Sequence, residues 1–200
     1  MNPSKSALLL VDMQNDFLHP VGAYGRAKIN LPNSRARIEQ MIKVSNSFKE
    51  LGSRIISANF TLIADKDNIP IIPADFKATH PFLNRGDFQY GRWGHQLIDE
   101  LGPADFIINK ITYSAFKSTH LEWLLQQLNI KTLILGGIIS KDGGGLVATL
   151  TDAQSKNYET ILLMDGCLAL TDEIYSNTLK DLENVCKIVT CKELVNLMNA

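Results

Sequence analysis

Two hundred residues, 45% apolar and 20% charged, suit one α/β domain with a sizeable core. Twenty basic against 21 acidic residues give a net charge of −1, which argues against nucleic acid or an anionic membrane as partner, because phosphate binding needs clustered Lys and Arg. The apolar runs at 7–11 and 132–139 are too short to span a bilayer, and the opening MNPSKS lacks signal-peptide organisation. Three cysteines without metal-type spacing (Cys167, Cys186 and Cys191) point to a reduced, cytoplasmic protein.

Ala7–Val11 (ALLLV) is a continuous apolar run, the pattern of a strand buried on both faces, and it ends at Asp12. Asn33–Leu51 predicts a helix with Ile38, Met41, Ile42 and Phe48 on one face, Asn33 or Ser34 as cap and Gly52 as terminator. Arg54–Phe60 is a second strand. Residues 61–94 are rich in Pro, Asp and aromatics, which predicts a lid, a binding loop or an oligomer contact. A short helix is predicted over His95–Leu101, a third strand over Asp105–Lys110, and a helix over Ser118–Leu128.

Leu133–Leu135 predicts a fourth strand, followed by a glycine-rich turn over Gly136–Gly145 and a helix running to Asn157. Strands over Glu159–Asp165 and Cys186–Thr190 alternate with helices over Asp172–Asn184 and Lys192–Met198. Such alternation predicts one domain, residues 1–200, with a parallel sheet, right-handed crossovers and helices on both faces.

Ligands of an open parallel sheet bind beyond the carboxyl ends of its strands. Those ends carry Asp12, Lys110 and the glycine turn. An Asp and a Lys there either cap strands in solvent or pair in a desolvated cleft, where the carboxylate can move protons and the lysine can steady developing charge. Where many such turns carry a nucleophile, this one has Gly143, Gly144 and Gly145, and nothing from Gly136 to Ala153 is Cys, His or Glu.

ALLLVDMQNDF (7–17) resembles the opening motif of the isochorismatase-like (cysteine) hydrolase superfamily. INKITYSAFKSTHLEWLLQQLNIKTLILGG (108–137) is similar to that family's lysine segment, and TLTDA (149–153), Tyr158 and DGC (165–167) resemble the segments beyond its nucleophile turn. The match spans nearly the whole chain and is weakest over 61–94. It implies a single-domain three-layer sandwich with a six-stranded parallel sheet of Rossmann-like topology, assembled as a homodimer or homotetramer.

Hydrolytic members use Asp, Lys and Cys, with backbone N–H groups of the turn holding the oxyanion. Asp12 matches the Asp and Lys110 the Lys. Counting back from TLTDA puts Gly145 at the cysteine position, and counting forward from Gly137 puts Gly143 there. Isochorismatases proper also carry glycine at this position, and they cleave a vinyl ether by proton delivery and water attack. The resemblance therefore implies a small-molecule hydrolase acting without a cysteine nucleophile through Asp12 and Lys110. Gly143–Gly145 would form the anion hole, with space where a thiol would be. A catalytically inactive binder or structural oligomer is the alternative.

Cys167 lies in DGC after the fifth strand, where family members often carry a cysteine that takes no part in catalysis. His19, His80, His95 and His120 lack ligand spacing and are expected on the surface or in loops, so no metal or cofactor is implied. Phe17, Trp93, Ile139, Gly143 and Gly144 are expected to contact substrate. Arg85 and Arg92 are candidates for anion recognition, while Phe88, Tyr90 and Trp93 form either an apolar lid or a subunit interface. Ser140 is expected to orient the turn. Asp142 either caps the helix after it or adds a second carboxylate. The resemblance also implies a non-proline cis peptide in Gly137–Ile139.

Overall fold

The computed structural model describes residues 1–199, and their side chains other than those of Asp75, Asp142 and Asn199. Six parallel strands form one sheet: β1 (Ser6–Val11), β2 (Arg54–Phe60), β3 (Phe106–Lys110), β4 (Thr132–Ile139), β5 (Glu159–Ala169) and β6 (Lys187–Val189). Their spatial order is β3-β2-β1-β4-β5-β6. The order reverses between β1 and β4, and the crevice beyond their carboxyl ends is where such sheets bind ligands. Every residue of β1 and β4 is buried, as expected for central strands covered on both faces.

Helices α1 (Asn15–Leu18), α2 (Ala23–Arg26), α3 (Ser34–Glu50), α4 (Ala74–Thr79), α5 (Leu121–Gln127), α6 (Gly144–Ser155), α7 (Asp172–Leu182) and α8 (Cys191–Asn199) complete the layers. Alternate strand residues feed two cores. Leu8, Leu10 and Ile134 join Met41, Val44 and Phe48 of α3 on one face. Leu9, Val11, Leu133 and Leu135 join Leu121 and Leu125 of α5 and Leu146 and Leu150 of α6 on the other. Among the described residues, no helix is long and apolar enough to cross a membrane.

Several boundaries differ from expectation. Gly136 and Gly137 belong to β4, opposite Leu10 and Val11 of β1, so the turn is confined to Ser140–Gly143. β4 also shifts register against β5 between Leu135 and Gly137. β5 runs on to Ala169 instead of stopping at Asp165. The helix expected over 95–101 is two 3-10 turns, Trp93–His95 and Asp99–Leu101, because the His95 carbonyl accepts from the side chains of Gln14 and Asn59 instead of closing a helical ring. No peptide bond among the described residues is cis, and Gly137–Ile139 simply extends the strand.

The segment 61–94 is largely exposed but tied to the core at several points. Leu62 N–H donates to Phe88 O (3.0 Å), Phe76 of α4 meets Phe60 at 5.1 Å, and Phe82 and Leu83 lie against the core.

Candidate active site

Asp12 follows β1, and Lys110 ends β3 opposite Phe60 of β2. Two strand ends on either side of β2 thus bring the residues together: Lys110 Nζ donates to Asp12 Oδ1 at 2.8 Å. The pair is nearly sealed, with the lysine side chain 2% and the aspartate side chain 10% exposed. The solvent-capped reading of these residues is thereby overturned.

Asp12 has φ +62°, a conformation uncommon outside glycine that Asp tolerates better than most. Its N–H is held by Ala58 O (2.9 Å), and its carbonyl accepts from Gln14 N–H (2.8 Å). Strained backbone held this firmly is characteristic of functional sites.

The Asp12 carboxylate also accepts from Phe60 N–H (3.1 Å), a donor shared with Gln14 Oε1 (2.8 Å). Burial raises the Asp12 carboxyl above the ordinary carboxylate range, and Lys110 and the Phe60 N–H pull it back in part. Lys110 Nζ lies 5.6 Å from the centroid of the Phe60 ring, close enough for a cation–π attraction.

Of the three glycines, Gly145 faces this pair. A Cβ built on it would lie 2.7 Å from Asp12 Oδ2 and 3.1 Å from Lys110 Nζ, whereas one on Gly143 would meet Val147 and one on Gly144 would meet Ser140. Of the two glycines the sequence offers, Gly145 is the one beside the pair. The expected vacancy does not exist, however, because the Asp12 carboxylate is already too near to admit even a methyl group.

Gly143 and Gly144 have another reason to be glycine: both have positive φ, +81° and +54°. Thr149 pins the turn, accepting from Ala115 N–H (2.9 Å) and donating to Gly145 O (2.7 Å). The Gly143 N–H is taken by Ser140 O (3.0 Å). That leaves Gly144 and Gly145, which open α6 and have no intrahelical acceptor, as donors for an anion. Ser140 holds the turn through its carbonyl, with no side-chain cap bond. The Asp142 side chain lies outside the described residues.

Other expected contacts are redistributed. Phe17 sits in an aromatic cluster, 4.5 Å from Phe88, 4.9 Å from Tyr24 and 6.5 Å from Phe60. Ile139 is wholly buried in the core with α5 and α6, so its side chain cannot line an open site. Trp93 packs edge-on against His19 at 4.9 Å and borders a cavity that Asp12 and Lys110 do not line. The suggested lid is split: Phe88 is fully buried, Tyr90 is 74% exposed and Trp93 40%. Arg85 and Arg92 line the same cavity as Trp93, and Gly145 is not part of its wall either.

Cys167 is fully buried and its thiol is pushed up to about 12 by desolvation, which leaves it inert as a nucleophile. His95 departs from the expected surface placement. It is buried, its Nε2 lies 2.9 Å from Thr61 Oγ1, and burial lowers its pKa to about 4.

Sequence reasoning missed a group beside the pair. Tyr24 OH lies 2.9 Å from His80 Nε2, and His80 stacks on Phe76 at 3.9 Å. The Asp12 charge adds to the effect of burial in raising the Tyr24 phenol, which places that phenol within electrostatic reach of the site. A Tyr and a His 56 residues apart carry no sequence signal of their pairing.

A family model for the isochorismatase domain matches residues 6–193. Ureidoacrylate amidohydrolase RutB of Cronobacter turicensis is 29% identical over 177 residues, covering 82% of this chain and 75% of that protein. Its counterpart from Rhizobium rhizogenes is 26% identical over 179 residues, covering 83% and 71%. Among solved structures, a cysteine hydrolase from Pseudomonas syringae pv. phaseolicola superposes with a TM-score of 0.83 at 19% identity, covering 100% of this chain and 94% of that one. An isochorismatase-like hydrolase from Alkaliphilus metalliredigens gives 0.76 at 23%, covering 96% and 98%. The fold, the ordered motifs and the match over 6–193 lead to one conclusion: this chain belongs to the isochorismatase family of hydrolases.

Proposed function

We propose that this protein hydrolyses a small organic molecule without a cysteine nucleophile, using Asp12 as proton carrier, Lys110 as its electrostatic partner and water as the attacking group. The observation that carries this reading is Gly145, whose missing side chain points at an intact, buried Asp12–Lys110 pair. The Asp12 carboxylate lies where a side chain at 145 would go, which supports a reading without a thiolate. Proton delivery calls for a carboxyl that takes up a proton more readily than an exposed one; burial of Asp12 acts in that direction, and Lys110 opposes it.

In vinyl-ether hydrolysis, Asp12 gives its proton to the terminal carbon of the double bond, and the resulting cation takes up water. The carbon–oxygen bond then breaks to release an alcohol and a carbonyl compound. Water returns the proton that Asp12 spent, so atoms and charge balance. The N–H groups of Gly144 and Gly145 would hold a negative oxygen of the substrate.

The reading keeps residues 1–200 as one domain acting on a small-molecule substrate in the cytoplasm. It also keeps a homodimeric or homotetrameric assembly, which exposed Ile107, Ile111, Tyr113 and Trp123 on and beyond the sheet-edge strand β3 support.

The test is turnover of isochorismate and ureidoacrylate by the wild type, Asp12→Asn and Lys110→Ala, with product analysis in 18O-water. Hydrolysis lost in both variants supports the mechanism. Hydrolysis unchanged in both would overturn it.

The second reading, a catalytically inactive binder or structural oligomer, rests on the tightness of the same pair. Lys110 and Asp12 close over the space at Gly145 as a structural ion pair would. Ligands found by thermal shift, none of them turned over, would favour it.

A further inference from the structure

Between α1, α2 and the segment 85–94 lies a cavity of about 390 Å³ lined by Asp16, Arg26, Arg85, Asp87, Arg92 and Trp93, among others. Its size falls within the range of small-molecule sites. Its charges are unevenly spent. Arg26 grips Asp87 through both carboxylate oxygens, at 2.6 and 2.8 Å. Asp87 also accepts from Asn84 N–H at 2.8 Å.

Asp16 is 2% exposed, and its oxygens accept from Ala23 N–H (3.0 Å) and Phe88 N–H (2.6 Å). Both Asp16 oxygens are thus committed to backbone donors, and burial raises its carboxyl above the ordinary range. The guanidinium groups of Arg85 and Arg92 are left over. Both residues are exposed, and neither forms an ion pair with a described residue.

The framework around them is set in advance. The Asp16 bonds and the Arg26–Asp87 fork fix the segment on which Arg85 stands. Asn15 Nδ2 donates to Trp93 O (3.0 Å), and Arg92 N–H donates to Gln89 O (3.1 Å), fixing the other side. The Trp93 indole, held edge-on by His19, supplies an apolar flank.

We propose that this cavity binds a small oxyanion, a carboxylate or a phosphate monoester, through the guanidinium groups of Arg85 and Arg92, with Trp93 beside it. Guanidinium matches the planar or tetrahedral oxygen array of such anions with paired N–H donors. Neither Asp12 nor Lys110 lines the cavity, and anion binding there is read without reference to what that pair catalyses.

The chain has two tryptophans, so Trp123→Phe leaves Trp93 as the sole reporter. Trp93 emission is then followed while inorganic phosphate or benzoate replaces chloride at constant ionic strength. The expected result is a saturable change with half-saturation near about 1 mM, weakened about 10-fold by Arg85→Gln or Arg92→Gln and abolished by the double variant. Saturation by phosphate alone assigns the site to phosphate esters, and saturation by benzoate alone assigns it to organic carboxylates. A signal that never saturates with either anion, or that is unchanged in the double variant, overturns the proposal. Both arginines are exposed, so the variants are expected to fold.

Discussion

Two ion pairs lie close together along the chain and are built in opposite senses. In Asp12–Lys110 the cation is sealed, 2% exposed, and the carboxylate is 10% exposed. In Arg26–Asp87 the carboxylate is sealed at 8% while the cation is 41% exposed. Water can solvate and screen Arg26 if its partner is lost. Lys110 has no such recourse, so removing either member of its pair strands a charge in low dielectric. Distance alone, 2.8 Å against 2.6 Å, would have ranked the pairs the other way. Burial separates a structural fastener from a site at which charge can be used.

The largest expected effect comes from breaking the sealed pair. Lys110→Met should cost about 3–5 kcal/mol in urea unfolding and lower turnover by about 10²–10⁴-fold. Asp12→Asn combined with Lys110→Met should restore part of the stability and none of the activity. Equal stability losses for Lys110→Met and Arg26→Met would refute the contrast between the pairs.

Next in size is His95, whose carbonyl is bound by Gln14, the residue sharing Phe60 N–H with Asp12. Burial lowers its folded pKa to about 4 from an ordinary value of 6.5. Stability from keeping it neutral is therefore complete above pH 6.5 and lost as pH falls towards 4, by about 3 kcal/mol. Asp12 and Asp16, both raised by burial, act in the opposite sense: their contribution is complete at low pH and lost as pH rises. Unfolding of His95→Gln at pH 7 and 4.5 should show a smaller pH loss than wild type; an equal loss would assign the acid sensitivity elsewhere.

Gly145→Ala sharpens the comparison from the steric side. The added methyl would lie 2.7 Å from Asp12 Oδ2, so it must push the carboxylate off its partner. A cost of about 1–3 kcal/mol in thermal or urea unfolding is expected, together with lost turnover. An alanine accepted without either change would mean the pair is looser than its burial indicates. Smallest is Arg26→Ala: it leaves the sealed Asp87 carboxylate with the Asn84 N–H and with water entering where the exposed cation stood, so a cost of about 1 kcal/mol is expected.

The fold is largely legible in the sequence because buried parallel strands write themselves as apolar runs. The pattern bounds β2 to the residue, Arg54–Phe60, and misses only Ser6 of β1. The misplacements cluster at glycines. Gly136 and Gly137 have the composition of a turn, yet pairing with Leu10 and Val11 holds them in β4, and Gly166 lies within β5 where its register against β4 shifts. In the site, Asp12 and Lys110 are legible from their places at strand ends. Ile139 and Phe88 are not, because an apolar residue beside a site and one beneath it look the same in sequence; both are fully buried. The Tyr24–His80 contact joins segments 56 residues apart and has no periodicity to reveal it.

The sequence by itself determined the alternation of strands and helices, the family motifs, and three consecutive glycines at 143–145. Side-chain period and residue chemistry are local properties, and they survive in one dimension. Tertiary structure alone decided that Gly145 rather than Gly143 faces the pair, with the Asp12 carboxylate 2.7 Å from where its Cβ would lie. It also sent Arg85 and Arg92 to a cavity of their own. Each of these depends on which atoms from distant segments exclude one another and exclude water, and that exclusion exists only once the chain has packed.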